Sequence, residues 1–375
     1  MRRLWLMCLL LWGCQQTAPS IPGSLPQWHD QYFLTKPDLP SADEVFNLPA
    51  DLTSQLRKIP YQRSLTDRLD ALLALLFLSS KPQMQYHPSY TLTPSQLWQT
   101  RAGNCLSLAI LTTASASFLG LTAQLQTVVV TPRWSREGSL MTVSEHINLR
   151  VMVKPYLSNG KVSQWRVVDF QDEYRRYWPS ATLLDKNVAI ALFYHNLAAD
   201  FVREKRLSEA YWAVKEALQR YPQSVSSWNL LGVLYRRAGL GQPALAAYQY
   251  ALTLEPEAPA IWQNLAVLYQ QLAMPAKAAD ASAKAQALAP KNPYRYIDLA
   301  NKALDDGQLA AAEQGYRQAL AIDDINDEAL WGMAQLYLAR GERQEALRWL
   351  KKALAMAASE ELLQRIKAWQ QQHRL

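Results

Sequence analysis

The chain has 375 residues, which is enough for two or three domains, and a net charge of +7 at pH 7. Its hydrophobic and charged fractions, 49% and 19%, are those of a globular protein with sizeable cores. The basic excess is spread along the sequence without a Lys- or Arg-rich block, which argues against a nucleic-acid partner. Glycine is scarce at 13 residues, and Ala-rich stretches in the second half favour helices.

The first fourteen residues have the pattern of an export signal. Arg2 and Arg3 form a positive start, and residues 4–12 form an apolar run too short to span a bilayer. The segment ends Leu-Trp-Gly-Cys14, which resembles a bacterial lipobox. The resemblance implies cleavage before Cys14, lipidation of that cysteine and, because Gln15 follows rather than Asp, an outer-membrane location facing the periplasm. The alternatives are an ordinary secretory signal and a fortuitous apolar start.

Helices are predicted upstream of the third cysteine. A capping-box pattern at Ser41–Glu44 predicts a short helix through about Arg57. Ser64 begins a second, very apolar helix, and the pattern at Thr93–Gln96, with a proline at the first helical position, begins a third.

Cys105 follows a Gly-Asn pair and precedes a long apolar run from Leu106 to Leu121. Gly and Asn favour a turn and a helix N-cap, so Cys105 is expected in the first helical turn, where the helix dipole favours a thiolate. The alternative is a buried core cysteine. If processing removes Cys8 and acylates Cys14, Cys105 is the one free thiol of the three cysteines, which favours intermolecular pairing or a reactive thiol.

Strands are predicted after this helix. Leu125–Thr131 is rich in valine, residues 144–153 alternate between apolar and polar side chains, and Trp165–Phe170 forms a returning strand. His146 and Asp169 are therefore expected on neighbouring antiparallel strands.

The register of these two strands decides whether His146 and Asp169 meet. A two-residue turn on Asn159-Gly160 would set His146 opposite Glu173, whereas a wider loop would set it opposite Asp169 on the same face. Because Pro155 favours the wider loop, we predict that His146 pairs with Asp169.

A helix bearing Cys, a strand bearing His and a strand bearing Asp, in this order, resemble the transglutaminase-like branch of the papain-like fold. The resemblance covers about residues 60–175. It rests on three stretches: Arg101–Ser107, Glu145–Asn148 and Val167–Asp169. It implies an α+β domain in which Cys105 is the nucleophile and His146 and Asp169 complete a triad.

The chemistry of the triad needs these residue types. A thiol needs a base to hold its proton, which His146 would be, and the imidazole needs a carboxylate such as Asp169 to orient it. The backbone N–H of Cys105 would be one oxyanion donor. The resemblance favours Tyr86 as the second donor, with Gln99 as the alternative. Taken singly, the histidine is also compatible with a solvent-facing strand edge and the aspartate with a simple strand end.

No motif for a metal or cofactor accompanies this set. HExxH, CxxC, a glycine-rich phosphate loop and a nucleophile elbow are missing from the sequence, and His29, His87 and His195 lack partners at metal-ligand spacing. We therefore predict no cofactor and no metal. Several aromatic residues suit either a substrate cleft or core packing: Trp134, Trp165, Tyr174, Tyr177 and Trp178.

The second half of the chain repeats with a period of 34 residues. Alanines recur at this step at positions 210, 244, 278, 312 and 346. The best copy contains Trp228, Leu231-Gly232, Tyr235, Tyr248 and Pro256. The pattern resembles the tetratricopeptide repeat (TPR), with units beginning near 191, 225, 259, 293 and 327 and a last amphipathic helix from about Glu360.

A TPR array implies a concave groove for a peptide or protein partner. Asn196, Asn264 and Asp298 share one position of the repeat and are candidates to line this groove. The alternative is that they are ordinary solvated helix residues.

The predicted organisation has five parts: a signal peptide at 1–13, a proline-rich tether at 14–40, a transglutaminase-like domain at 41–185, five repeats at 191–360 and a capping helix at 361–375. The predicted fold class is an α+β papain-like, transglutaminase-like domain followed by an all-α TPR solenoid.

The predicted function is thiol acyl transfer on an amide by a lipid-anchored envelope protein, with the repeats recruiting a protein substrate or partner. Peptidase or amidase action is preferred over cross-linking, because bacterial members of the resembled family are more often hydrolytic. The alternative is a non-catalytic envelope scaffold that acts through its repeats.

Overall fold

The computed structural model describes residues 25–78, 83–87, 90–128, 146–154, 163–170, 181–289, 292–356 and 360–373. The first part mixes helices and strands. Its helices are α1 (Ala50–Leu56), α2 (Leu65–Leu73), which continues as a π-helix at Ala74–Leu78, α3 (Pro94–Thr100) and α4 (Cys105–Phe118). Its strands are β1 (Gln85–Tyr86), β2 (Ala102–Gly103), β3 (Ala123–Val128), β4 (His146–Lys154), β5 (Gln164–Val168) and β6 (Ala181–Leu183).

Four strands form an antiparallel sheet in the order β5-β4-β3-β6, and α2 and α4 pack against it. The short strands β1 and β2 pair in parallel beside the start of α4. The core between helices and sheet contains Leu69, Leu108, Leu125 and Leu149, all nearly or fully buried. β4 therefore lies inside the sheet, against the helix that begins with Cys105, and β5 lies beside β4 at one edge.

The first predicted helix is shorter than expected. The Ser41–Glu44 capping bonds do form, since Ser41 N donates to Glu44 Oε2 at 2.7 Å and Glu44 N donates to Ser41 Oγ at 3.4 Å. They close only a turn, and α1 begins at Ala50 with Pro49 as its N-cap. The prediction of one helix from Ser41 to Arg57 is wrong because Pro49 disfavours helical backbone in the residue before it.

The caps predicted for α2 and α3 are present. Ser64 Oγ accepts a hydrogen bond from Asp67 N at 3.1 Å. Thr93 and Gln96 exchange bonds in both directions, which completes a capping box at the start of α3. Because α4 is apolar on nearly every side, it is buried over most of its length.

The second part of the chain is an array of paired helices. They are α5 (Lys186–Arg203), α6 (Leu207–Arg220), α7 (Val225–Arg237), α8 (Gly241–Leu254), α9 (Pro259–Gln271), α10 (Pro275–Leu288), α11 (Pro293–Asp305), α12 (Leu309–Ile322), α13 (Asp327–Ala339), α14 (Arg343–Met356) and α15 (Glu360–Gln372). Each odd-numbered helix from α5 to α13 packs against the helix that follows it. Within the described ranges, no helix has both the length and the apolarity needed to cross a membrane.

Large aromatic side chains of the repeat fill the spaces between its helices. Trp228, Tyr235 and Tyr248 are at most 1% exposed. Small residues make room for them, since a Cβ on Gly232 would overlap the ring of Tyr248. These repeat aromatics are core residues, as the pattern predicts. At the far end, Leu362 and Ile366 place α15 on the last pair of helices.

The two parts of the chain are joined by α5, which packs against both of them. Ile190, Phe193 and Tyr194 of α5 belong to the same hydrophobic core as α4 and the sheet. The Tyr194 hydroxyl also donates to the carbonyl of Pro40 at 2.5 Å. The first repeat helix begins at Lys186, five residues before the predicted start of the first unit, and packs on both parts.

Residues 28–36, which we term the N-terminal strap, lie against α6 and α7. The Phe33 ring stacks on Tyr211 with centroids 3.9 Å apart, and Trp28 stacks on Trp228 at 6.1 Å. The Asp30 carboxylate accepts bonds from Lys215 Nζ at 2.7 Å and from the Tyr211 hydroxyl at 2.5 Å. Residues 28–36 of the predicted tether at 14–40 are thus packed against the repeat helices. Its aromatic side chains explain the difference, because they bury apolar area that prolines alone would leave in water.

Candidate functional site

Cys105 is the first residue of α4. Asn104 is the N-cap, and its Oδ1 accepts the backbone N–H of Ser107 at 2.9 Å. The thiol is free and half-buried. Cys105 thus lies in the first helical turn, where the unpaired N–H groups and the helix dipole favour an anion. Cys8 and Cys14 lie outside the described residues.

The chain reaches Cys105 through a left-handed turn. Arg101, the C-cap of α3, has φ +60° and ψ +15°, a conformation that costs a non-glycine residue about 1 kcal/mol. Its guanidinium lies 3.5 Å from the centroid of the Trp98 ring, a cation–π contact that helps to hold the turn. β2 follows directly, and then α4 begins.

His146 and Asp169 are in direct contact. His146 Nε2 lies 2.8 Å from Asp169 Oδ1 and 2.7 Å from Oδ2. The two residues are 4% and 7% exposed, so little solvent screens the pair. Cys105 is the other side chain that acts on the imidazole and raises its pKa. Because the carboxylate engages Nε2, Nδ1 is the ring nitrogen available to exchange a proton with the thiol.

The charge state of His146 follows from these contacts. Burial lowers the pKa of the imidazole, but the hydrogen bonds and charges of Asp169 and Cys105 more than offset it and raise this pKa to about 9. A thiolate is the nucleophilic form of cysteine, and an imidazole can take up the proton of a thiol. The arrangement can therefore hold a proton near a nucleophile.

The predicted register is wrong by two residues. The observed ladder pairs Leu149 with Val168 and Met152 with Trp165. Continued by one residue, it sets Asn148 opposite Asp169, not His146. Because a shift of two keeps every side chain on its face, His146 remains a diagonal neighbour of Asp169 and still reaches it.

A row of buried amides supports the carboxylate. Asn148 Nδ2 donates to Asp169 Oδ2 at 2.8 Å, and Gln126 Nε2 donates to Asn148 Oδ1 at 2.9 Å. Asn148 is fully buried and Gln126 is 4% exposed. Sequence reasoning missed both residues. The signal was the run of polar residues at alternate positions in otherwise apolar strands, at 124 and 126 of β3 and at 146, 148 and 150 of β4.

The candidate second oxyanion donors differ in position. Tyr86 is paired with Gly103 in the β1–β2 bridge, and His87 N donates to the carbonyl of Gly103 at 2.8 Å. The Tyr86 side chain is 40% exposed. Gln99 is exposed on α3. The structure therefore brings the backbone of Tyr86 next to the segment that leads into Cys105.

The aromatic residues suggested for a cleft fall only in part within the described ranges. Trp165 is half-buried, and Arg150 lies over its ring at 4.3 Å from the centroid. The other four lie outside the described residues: Trp134, Tyr174, Tyr177 and Trp178.

No group of three or more potential metal ligands comes together in the described ranges of the chain. Of the remaining histidines, His87 stacks on Tyr90 at 4.4 Å, and His195 Nδ1 lies 3.0 Å from Ser227 Oγ. Burial lowers the pKa of His195 to about 4, so this imidazole is neutral at pH 7.

The three groove candidates lie on first helices of their repeats, namely α5, α9 and α11. Asn264 Nδ2 donates to Asn229 Oδ1 on the neighbouring α7 at 2.8 Å. Asn196 is half-buried and Asp298 is exposed. Asn264 therefore links two adjacent repeats, in addition to any contact it makes with a partner.

Comparisons with known proteins concern the repeat half. Residues 303–369 match the tetratricopeptide repeat family. MamA is 22% identical over 44% of this chain and 91% of its own, with a TM-score of 0.25. YrrB, a TPR protein with an unusual peptide-binding site, is 19% identical over 48% and 92%, at 0.25. A thermophilic TPR protein of Thermus thermophilus is 23% identical over 48% and 97%, at 0.26.

No curated protein matches the chain. The family match and the paired helices define the class of the C-terminal part, which contains tetratricopeptide repeats. TPR proteins generally bind peptides or other proteins.

Proposed function

We propose that this chain is a lipid-anchored envelope protein in which a Cys105–His146–Asp169 site performs thiol acyl transfer on a partner held by the TPR array. The observation that carries the proposal is the buried hydrogen bond between His146 and Asp169, together with Cys105 at the N-terminus of α4 acting on the same imidazole. This arrangement supplies a nucleophile, a proton acceptor and a group that orients it.

The reaction would proceed in two steps. The Cys105 thiolate attacks the acyl carbon of an amide, and the backbone N–H of Cys105 stabilises the oxyanion. The C–N bond then breaks, the amine leaves with a proton from the His146 imidazolium, and a thioester remains. Water, or a second amine, attacks the thioester while His146 takes its proton, the C–S bond breaks, and the acid or new amide leaves with the thiolate and the imidazolium restored. Peptidase or amidase action corresponds to water as the acceptor.

Two further proposals concern location and recruitment. Lipidation of Cys14 after removal of residues 1–13 would anchor the chain to the outer membrane, facing the periplasm. The groove lined by the first helices, with Asn196, Asn264 and Asp298, would hold a peptide or protein. The segment between the anchor and residue 41 would span at most about 90 Å if fully extended, and packing of the strap shortens that reach.

The test is formation of a covalent adduct at Cys105. Full-length protein is incubated with an activated acyl ester, and intact-protein and peptide mass spectrometry locate the acyl group. We expect an adduct at Cys105 in the wild type, none there in Cys105→Ala, and a strong decrease in His146→Ala. An adduct formed equally by wild type and His146→Ala would refute the proposed site.

The second candidate function is a scaffold without chemistry. It is favoured by the match to the TPR family, which accounts for protein binding and requires no thiol. In that case Cys105→Ala would bind the same partner with unchanged affinity, and no acyl adduct would form on the wild type.

A further inference from the structure

The first helix of the TPR array reaches the segment that leads to Cys105. Asp200 lies in the last turn of α5, and its Oδ2 accepts the backbone N–H of Thr91 at 3.0 Å. The Thr91 side chain, next to this bond, also lowers the pKa of the carboxylate. One acidic residue of the repeat part thus accepts a hydrogen bond from the backbone of the α+β part.

Thr91 in turn orients the N-cap of α4. Asn104 Nδ2 donates to Thr91 Oγ1 at 3.0 Å, so the other end of the amide, Oδ1, points to the helix. There it accepts the backbone N–H and the hydroxyl of Ser107, each at 2.9 Å. Ser107 Oγ also accepts the N–H of Leu92 at 2.9 Å.

This chain of bonds is shielded from water. Thr91 is 4% exposed, Asn104 is 8% exposed and Ser107 is fully buried. Burial raises the pKa of Asp200, while the bonds from Thr91 and the charge of Arg203 act in the opposite direction. A buried donor that loses its acceptor is costly, so removal of the carboxylate forces the Thr91 N–H to find a new acceptor and thereby moves the residue to which Asn104 donates.

We propose that Asp200 is a positioning residue through which the TPR array sets the geometry of Cys105. The inference rests on the proposed function, because its consequence is the reactivity of that thiol. The chain Asp200–Thr91–Asn104 fixes where α4 begins and hence where the sulfur lies relative to His146. A protein partner that shifts α5 on binding would then change the reactivity of the cysteine, and the array would regulate the site as well as recruit for it.

The first test measures alkylation of Cys105 by iodoacetamide as a function of pH in the full-length protein. Peptide mass spectrometry measures the alkylated fraction of Cys105 separately from that of any other cysteine. Asp200→Ala is compared with Asp200→Asn, which keeps one carbonyl acceptor for Thr91. The matched control is Glu204→Gln, an exposed acid at the C-cap of the same helix that pairs with Arg206.

We expect Asp200→Ala to slow alkylation about tenfold, the effect of one misplaced hydrogen bond, and to shift the acidic limb of the pH profile upwards. Asp200→Asn should recover part of the rate, and Glu204→Gln should match the wild type. A lower melting temperature of Asp200→Ala with an unchanged pH profile and rate would overturn the inference, because it would reduce Asp200 to a merely structural role.

A second readout keeps the inference separate from the proposed chemistry. Hydrogen exchange of the amides at the start of α4, read by mass spectrometry, should be faster in Asp200→Ala than in Glu204→Gln. If His146→Ala leaves the reactivity of Cys105 unchanged, the proposed function fails, and this exchange alone decides the coupling. Unchanged exchange in Asp200→Ala would then refute it, and faster exchange would support it.

Discussion

His146 owes its charge to two partners rather than to water. An isolated buried imidazole is neutral, as His195 is in the same molecule, where burial lowers the pKa to about 4. At His146 the Asp169 carboxylate and the Cys105 side chain reverse this effect and raise the pKa to about 9. Two buried histidines of one chain thus differ because only one has acidic partners.

The raised pKa of His146 has a consequence for stability. Its value in the folded protein, about 9, exceeds the unfolded value of about 6.5, so the contribution is fully present below pH 6.5 and is lost as the pH rises through 9. We expect Asp169→Asn to lower the free energy of unfolding at pH 6 by on the order of 3 kcal/mol. The variant should also flatten the pH dependence between pH 6.5 and 9, as measured by urea unfolding at a series of pH values.

The control for this prediction is Asp70→Asn. Asp70 pairs with Arg166 at an exposed position, where screening makes an ion pair worth little. Its stability should follow the wild-type pH dependence. Parallel curves for Asp169→Asn and the wild type would show that the carboxylate does not hold the imidazole proton.

At the level of single residues, the sequence identified the three members of the candidate site but not their supports. Cys105, His146 and Asp169 have distinctive chemistry that stands out in a linear reading. Asn148 and Gln126 are common residues whose role depends on a neighbour across the sheet, which is invisible until the strands are aligned. Asp200 was missed for the same reason, since it lies 109 positions from Thr91.

Among the elements, helices were easier to predict than strand pairing. The caps of α2, α3 and α4 are local, and they form as their residues predict. The β4–β5 register is not local. It contains a bulge between Met152 and Lys154, which shifts the pairing by one residue, and neither turn considered from the sequence included such a shift.

The N-terminal strap is the element whose role is most easily tested. Replacing Phe33 with alanine removes the ring that stacks on Tyr211. We therefore expect Phe33→Ala to destabilise the docking of the strap by about 1–2 kcal/mol. The matched variant is Tyr32→Ala, which changes the neighbouring residue of the strap, a side chain that is 59% exposed. Limited proteolysis should cleave Phe33→Ala within the strap faster than Tyr32→Ala. Equal cleavage of the two would contradict a docked strap.

In the whole molecule, the first repeat helix packs into the core of the α+β part and also contacts it through a chain of polar groups. The repeat was predictable from the sequence, because a spacing of 34 residues can be recognised even when single positions differ between units. The paired helices have the same period. The shared core was not predictable, because α5 carries the helical pattern of a repeat and gives no separate signal that one of its faces packs on another fold. The first helix of the TPR array and the segment before Cys105 are therefore in direct contact and are not independent modules.

The measurement that tests the central claim most directly is the pH dependence of Cys105 alkylation in wild type and His146→Ala. If His146 activates the thiol, alkylation of Cys105 is faster in the wild type than in His146→Ala between about pH 6 and pH 8, and the two pH profiles differ. Identical profiles for the two proteins would contradict an activated thiol and leave the TPR array as the functional part of the chain.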